Sequence, residues 1–292
     1  MSTVKTKAEH VDMEAEEYHT HPAIGASMLE TFRESRREFY GRYVAKTLPP
    51  KEPSDAMKFG TLVHLAVLEP ERFAETVVTM PNLYQGEEWN WRKPAHREAR
   101  DGMQAKFAAE GKTCIELGDW EAVEAIAKSI RENKYAHRLV NGQGQPEFSI
   151  FWTDHETGLE LKCRVDWFAS IPVDIKTTND PSPEEYARTC LKFGYHRKAS
   201  HYLAGIEAFN DLPTPMVHLA VGTKPPYVVA AYEINDRDSD NKSLGYQQWR
   251  ATLASLARCY ETGDWREPWE KQITSLRLPG WAFTENLYHI GD

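Results

Sequence analysis

The chain has 292 residues, 41% hydrophobic and 27% charged, with a formal net charge of −9. That composition is ordinary for a soluble globular protein large enough to bury a sizeable core, and no apolar run approaches the length needed to span a membrane. The acidic balance argues against a surface coated in nucleic acid, which needs clustered Lys and Arg, but leaves room for a local basic groove around an acidic metal site.

The N-terminal stretch "MSTVKTKAEHVDMEAEEYHTH" is polar, without the apolar core of a signal peptide, so a cytoplasmic protein is expected. Residues 1–17 read as a flexible arm rich in charge, ahead of a single domain over residues 18–292. Cys114, Cys163, Cys190 and Cys259 show no CxxC spacing, which fits reduced structural thiols rather than a zinc knuckle or a disulfide framework.

In chain order, "IGASMLETFRESRREFYGRYVAK" predicts a helix capped by Ser27, with Glu30 at the capping-box position and an apolar stripe through Met28, Leu29, Phe32, Phe39 and Tyr43. "MKFGTLVHLAVLEPERF" predicts a buried helix that starts after Gly60 and stops near Pro70. The tryptophan-rich stretch from Pro81 to Arg100 has no clean period and reads as a surface loop. A helix follows from Leu117 to Tyr135, broken afterwards by "NGQGQ".

The period then changes. "EFSIFWTD" and "LELKCRVDWFAS", separated by "HETG", predict a β-hairpin, and "PVDIKTT" a third strand. Helices over Pro183–Leu191 and Tyr195–Phe209 follow, then two strands, "MVHLAVGT" and "YVVAAYEI", and a helix from Lys242 to Tyr260 ahead of an irregular end containing "LRLPGWAF". The sum is an α/β protein with a central mixed β-sheet flanked by helices.

Alternate side chains of a strand share a face, so Asp174 and Lys176 point one way while Val173, Ile175 and Thr177 point the other. Asp166, near the end of the preceding strand, comes beside Asp174 if the two strands are neighbours. Two carboxylates so placed repel unless a hard divalent cation holds both ionised, and such an ion beside an ammonium suits phosphodiester hydrolysis. Each piece also has a plain structural reading: D-x-K as a solvated strand edge, His64 as a core histidine, Glu147 as an exposed strand end.

Five segments, "GTLVHLAVLEPERF", "EFSIFWTDHETGLELKCRVDWF", "VDIKTT", "GYHRKASHYLAGI" and "LRLPGWA", occur in an order and approximate spacing that resemble the nuclease domain of the RecE exonuclease (exonuclease VIII). That family is a branch of the PD-(D/E)XK nucleases with the restriction-endonuclease-like, RecB-type core, and the likeness runs from about Tyr18 to about Trp281. It implies a metal-dependent 5′ to 3′ exodeoxyribonuclease that acts on linear double-stranded DNA ends and leaves 3′ overhangs. It further implies a ring-shaped homotetramer working in a bacterial host cell beside a single-strand annealing protein of RecT type.

Carried over by position, the catalytic residues are Lys176, Asp174, Asp166 and Glu147. The metal ligands are His64, Asp166, Asp174 and the carbonyl of Ile175, for Mg²⁺ with Mn²⁺ as a substitute. The family commonly has Gln-x-x-x-Tyr on the helix after the D-x-K strand, where this chain has Lys198 ahead of Tyr202. A lysine meets phosphate as a point charge and cannot accept a hydrogen bond. Tyr195, His196, Arg197, Lys198 and Tyr202 are therefore expected to contact the DNA backbone, or else to form the wet face of an amphipathic helix. The segment from Trp89 to Arg100 is expected as an aromatic wedge at the duplex end or as a subunit interface. The alternatives are an endonuclease or repair nuclease on the same fold, a non-catalytic DNA-binding subunit, and a carbohydrate-active protein, which would have no use for Lys176.

Overall fold

The structure is a computed structural model that describes residues 8–90, 92–234, 243–273 and 275–280. Its centre is a six-stranded mixed sheet built from β1 (Glu9–His10), β2 (Gly144–Thr153), β3 (Glu160–Ala169), β4 (Val173–Thr178), β5 (Met216–Gly222) and β6 (Val229–Ile234). The strands lie side by side in that order. All neighbours are antiparallel except β4 and β5, which run parallel and so need a crossover. The principal helices are α1 (Ala26–Glu34), α2 (Asp55–Leu68), α3 (Pro94–Ala109), α4 (Leu117–Glu132), α5 (Pro183–Lys192), α6 (Tyr195–Asn210) and α7 (Leu244–Thr262). Helices α5 and α6 form the crossover.

Strand alternation creates two cores. Phe148, Ile150 and Trp152 of β2 and Leu161, Cys163 and Val165 of β3 pack against Leu29 and Phe32 of α1, Ile206 of α6 and Leu253 of α7. Val173 and Ile175 of β4 with Leu219 and Val221 of β5 pack against Val63 of α2 and Val123, Ile126 and Ile130 of α4. Helix α6 comes so close to the sheet that a Cβ at Gly205 would sit 2.7 Å from the Trp152 ring and 2.8 Å from Cys163 Sγ, so only glycine fits there. Among the described residues no helix is long and apolar enough to cross a membrane.

Local caps explain where the elements depart from expectation. The helix predicted from Ile24 to Lys46 is divided, because Ser35 Oγ accepts from Glu38 N (3.1 Å) and starts a new turn, Arg36–Phe39. Its first part begins at Ala26 with Gly25 at the cap, which puts Ser27 inside the helix. Helix α2 starts six residues before Thr61, since Ser54 Oγ accepts from Met57 N (3.3 Å). The helix predicted to Tyr135 stops at Glu132, where Asn133 Oδ1 caps the next helix, Lys134–Val140, by accepting from Tyr135 N and Ala136 N (both 3.0 Å).

The stretch from Pro81 to Arg100 is more regular than a loop. It forms a small hairpin, Leu83–Tyr84 with Glu87–Glu88, and then α3, which opens on Pro94. Tyr84, Trp89 and His96 cluster by their rings, and His96 Nδ1 accepts from Asn90 N (3.1 Å). Trp91 and Trp281 lie outside the described residues.

The segment read as a flexible arm has structure from Glu9 onward. Glu9 and His10 pair with Phe151 and Ile150 of β2, and a short helix spans Ala15–Thr20. What secures it is polar and aromatic, so a count of apolar residues misses it. The His10 ring stacks on Phe148 (3.7 Å), and the buried Tyr18 ring lies between Lys162 Nζ (4.5 Å) and Arg164 Cζ (4.6 Å).

Candidate active site

The seam between β3 and β4 carries a single ladder pair, Trp167 with Val173. Beyond it the strands part, and the next backbone N–H, that of Ile175, donates instead to Asp166 Oδ2 at 2.6 Å. A carboxylate thus takes the place of a ladder carbonyl and is fixed by the backbone it replaces. The seam between β2 and β3 also opens here: Glu147 and Asp166 fall between the pairs Pro146–Trp167 and Phe148–Val165 and drop out of the ladder. Glu147 has φ of +51°, a conformation costly for a side chain with a Cβ and most often kept at functional positions.

Helix α2 lays His64 across this opening. His64 Nε2 is 2.9 Å from the Ile175 carbonyl and 3.6 Å from Asp166 Oδ2. One ligand atom each from His64, Glu147 and Asp166 lies within 4.8 Å of the others. The donor set, one imidazole with two carboxylates, suits a divalent cation. Nε2 and the Ile175 carbonyl are also spaced as neighbouring ligands of an ion with bonds of about 2.1 Å would be, roughly 3 Å apart. Nε2 either donates to that carbonyl or offers its lone pair to an ion.

Charge is distributed unevenly over the cluster. Burial, then the nearby Asp174 charge, pushes the Asp166 carboxyl well above the usual carboxylate range. Burial also pushes Asp174 up, but Lys176, His218 and the hydrogen bond from Lys176 outweigh it and hold Asp174 below that range. Burial raises Glu147 as well, against the pull of Arg164, whose Nε lies 4.0 Å away. His64 is pushed down to about 4 by burial and by Lys176. One acid is therefore ionised, its neighbours resist ionisation, and a cation would relieve that resistance.

Asp174 and Lys176 share a face of β4 as strand alternation predicts, with Lys176 Nζ 2.5 Å from both oxygens of Asp174. Val173 and Ile175 point into the opposite core. Asp174 is thus beside the His64, Glu147 and Asp166 cluster, bound to the lysine rather than joined to it. Glu147, expected only as a catalytic acid, supplies one of the three converging ligand atoms.

Helix α6 divides its five expected contact residues. Tyr195, Lys198 and Tyr202 face the site: the Tyr195 ring lies 5.4 Å from both Lys176 Nζ and Lys198 Nζ. Burial and the Lys176 charge lower the pKa of Lys198. For Tyr202 burial dominates the upward shift, and Asp174 and Asp166 add to it. His196 and Arg197 point elsewhere, contrary to expectation. His196 Nε2 lies 3.1 Å from Gln248 Oε1 and its Nδ1 3.2 Å from the Cys190 carbonyl, while Arg197 donates to both oxygens of Glu30 (2.9 and 2.5 Å). Positions 195, 198 and 202 share one helical face and 196 and 197 lie off it, so the 3.6-residue period already separates them.

Two residues at the site escaped the sequence reading. His218 of β5 stands opposite Asp174 in the parallel ladder, its Nε2 3.4 Å from Asp174 Oδ2, and Tyr186 of α5 places its hydroxyl 3.0 Å from His218 Nδ1. Burial brings the His218 pKa down to about 4. A histidine inside "MVHLAVG" was the available signal, but locating it needs the register of two strands separated by the 37 residues 179–215, which carry the crossover.

A mixed sheet whose central seam opens over a D-x-K strand, with a histidine and two more acids at the opening, defines a PD-(D/E)XK nuclease-type core. Residues 25–271 match the model of a family described as a PDDEXK-like domain of unknown function (DUF3799), and the chain belongs to that family. Among solved structures it is similar in fold to a protein of Eubacterium rectale described as a candidate exonuclease, at 11% identity and a TM-score of 0.58, over 95% of this chain and 99% of that one. No curated protein sequence matches it.

Proposed function

We propose that the protein is a Mg²⁺-dependent 5′ to 3′ exodeoxyribonuclease that acts on linear double-stranded DNA and leaves 3′ single-stranded overhangs, with Mn²⁺ able to substitute. The observation that carries this is the convergence of His64, Glu147 and Asp166 within 4.8 Å beside the Asp174–Lys176 pair. His64, Glu147, Asp166 and the Ile175 carbonyl would hold the ion, with Asp174 at its edge. When bound, it supplies Lewis-acid polarisation of a phosphoryl oxygen and an acidified water.

The chain's own groups do the rest. Lys176 is kept cationic: burial works against its charge, but Asp174 and Asp166 raise its pKa, so a full positive charge stands where charge builds up on the phosphorane. Asp174 restrains that ammonium by a hydrogen bond. Tyr195, Lys198 and Tyr202 form a half-buried polar wall beside it, suited to the DNA backbone, with Lys198 as a point charge. The exonuclease direction, the recombination role beside an annealing protein of RecT type, the homotetramer and the cytoplasmic setting of a bacterial host rest on the resemblance to RecE nucleases.

The test is cleavage of 5′- and 3′-end-labelled linear duplex, closed circular and single-stranded DNA, each with EDTA, Mg²⁺ or Mn²⁺. Loss of the 5′ label without nicking of circles supports the proposal. Nicked circles would point to an endonuclease on the same core, and absence of metal-dependent cleavage would leave a DNA-binding subunit.

A further inference from the structure

The Asp174 carboxylate has a buried imidazole behind it. Every residue of β5 is buried, His218 to 1% exposure, and Tyr186 to 2%. Three contacts fix the pair. The parallel ladder sets His218 beside Asp174. The Tyr186 ring stacks on Tyr232 at 5.0 Å, and Tyr232 stands opposite His218 on β6. The Tyr232 hydroxyl donates to the Pro181 carbonyl at 2.5 Å, just before α5.

These contacts, with the Tyr186 hydroxyl also hydrogen-bonded to Cys190, favour one nitrogen for the proton. The Nε2 side faces a carboxylate oxygen that can only accept, at 3.4 Å, while the Nδ1 side faces a hydroxyl that can donate, at 3.0 Å. A lone pair on Nε2 would face the lone pairs of Asp174. The arrangement is satisfied with the proton on Nε2.

Lys176 contacts both oxygens of Asp174, and His218 Nε2 lies 3.4 Å from Oδ2. If the ammonium turns toward a substrate, the His218 ring stays beside Oδ2, 3.4 Å away, as the remaining neighbour placed to donate to this carboxylate among the contacts of the described residues. We propose that His218 is a positioning residue, oriented by Tyr186, that holds the Asp174 carboxylate for metal binding while Lys176 serves the substrate. Its effect on activity rests on the nuclease reading; its effect on metal affinity rests on Asp174 serving as a ligand at the edge of the His64, Glu147 and Asp166 cluster.

The geometry gives a side-chain test. A glutamine amide nitrogen reaches the place of Nε2, whereas an asparagine nitrogen reaches only that of Nδ1. His218→Gln should therefore keep Mn²⁺ affinity, read by electron paramagnetic resonance, within about 3-fold, while His218→Asn and His218→Leu weaken it about 10- to 100-fold, the usual range for partners of a ligand. Tyr186→Phe should fall between. Equal affinity in all three His218 variants would overturn the proposal. Should the His218 variants fail to fold, nitrogen NMR of the wild-type imidazole remains decisive: a proton on Nε2 is expected, and a neutral ring protonated on Nδ1 would overturn the assignment. If the wild type binds Mn²⁺ and the variants follow this order but nothing cleaves DNA, the positioning role stands and the nuclease reading falls.

Discussion

The two seams of β4 differ in kind. Toward β5 the ladder is continuous from Val173 to Thr178, and its inward side chains, Val173, Ile175, Leu219 and Val221, are almost wholly buried. Toward β3 it holds for one pair and then opens, and the space is taken by Asp166, the Ile175 carbonyl and His64. A closed ladder uses every backbone group that faces it, so only side chains of that seam can reach the site. An open seam frees a carbonyl and an N–H, and polar side chains must then satisfy them. That is where the proposed cation would find oxygen ligands and a phosphate would find positive charge. The backbone of one strand thus carries stability toward β5 and is opened to the site toward β3.

Removing metal should show the division most sharply. EDTA is expected to bring cleavage of labelled duplex to background while leaving the circular dichroism spectrum of the fold in place, because β4 stays anchored by its closed seam. Next in size, Lys176→Ala should lower single-turnover cleavage about 10²- to 10³-fold, the range seen when a group stabilising transition-state charge is removed. The fold should persist, with a stability loss of about 1 to 3 kcal/mol for a buried charged pair left half made. The reverse is expected on the other seam. Leu219, fully buried, when cut to Ala should cost about 2 to 5 kcal/mol of stability by denaturant titration, with cleavage at low temperature within a few-fold of wild type. A Leu219→Ala protein as stable as wild type but inactive would break the division between the seams.

How far the sequence led depended on the range of the contact. Strand alternation placed Asp174 with Lys176 and apart from Ile175 because that relation needs only the period of one strand. The Asp166 position followed from a hairpin and its neighbour, all within a short stretch of chain. His64 was drawn in by resemblance, since nothing local marks a histidine on an apolar helix as facing a seam from across the fold. His218 and Tyr186 stayed hidden because their meaning lies in a parallel register set by the crossover α5–α6, which no local pattern fixes. Caps set the errors in the helices: Ser35 and Asn133 each end one helix by starting another, and a hydrophobic period runs through such breaks unchanged.

The smallest expected effect tests how far the open seam reaches onto α6. Lys198 stands over the Tyr195 ring beside Lys176, on the site side, whereas Arg197 one position earlier is tied to Glu30 of α1 with 14% of its side chain exposed. Lys198→Gln places there the glutamine common in the RecE nucleases that the sequence resembles and removes one charge near the proposed backbone path. Losing one phosphate contact should flatten the dependence of log K on log salt by about 1 and weaken DNA binding a few-fold, equally across sequences. Arg197→Gln should leave the salt slope unchanged, because that guanidinium is already neutralised by Glu30, and should instead lower stability, by about 1 to 3 kcal/mol for a charged hydrogen-bonded pair left half made. The two variants remove the same charge from adjacent positions, so net charge cannot explain a difference between them. If both flatten the salt slope alike, α6 contributes by charge alone and the boundary of the site does not follow its helical face.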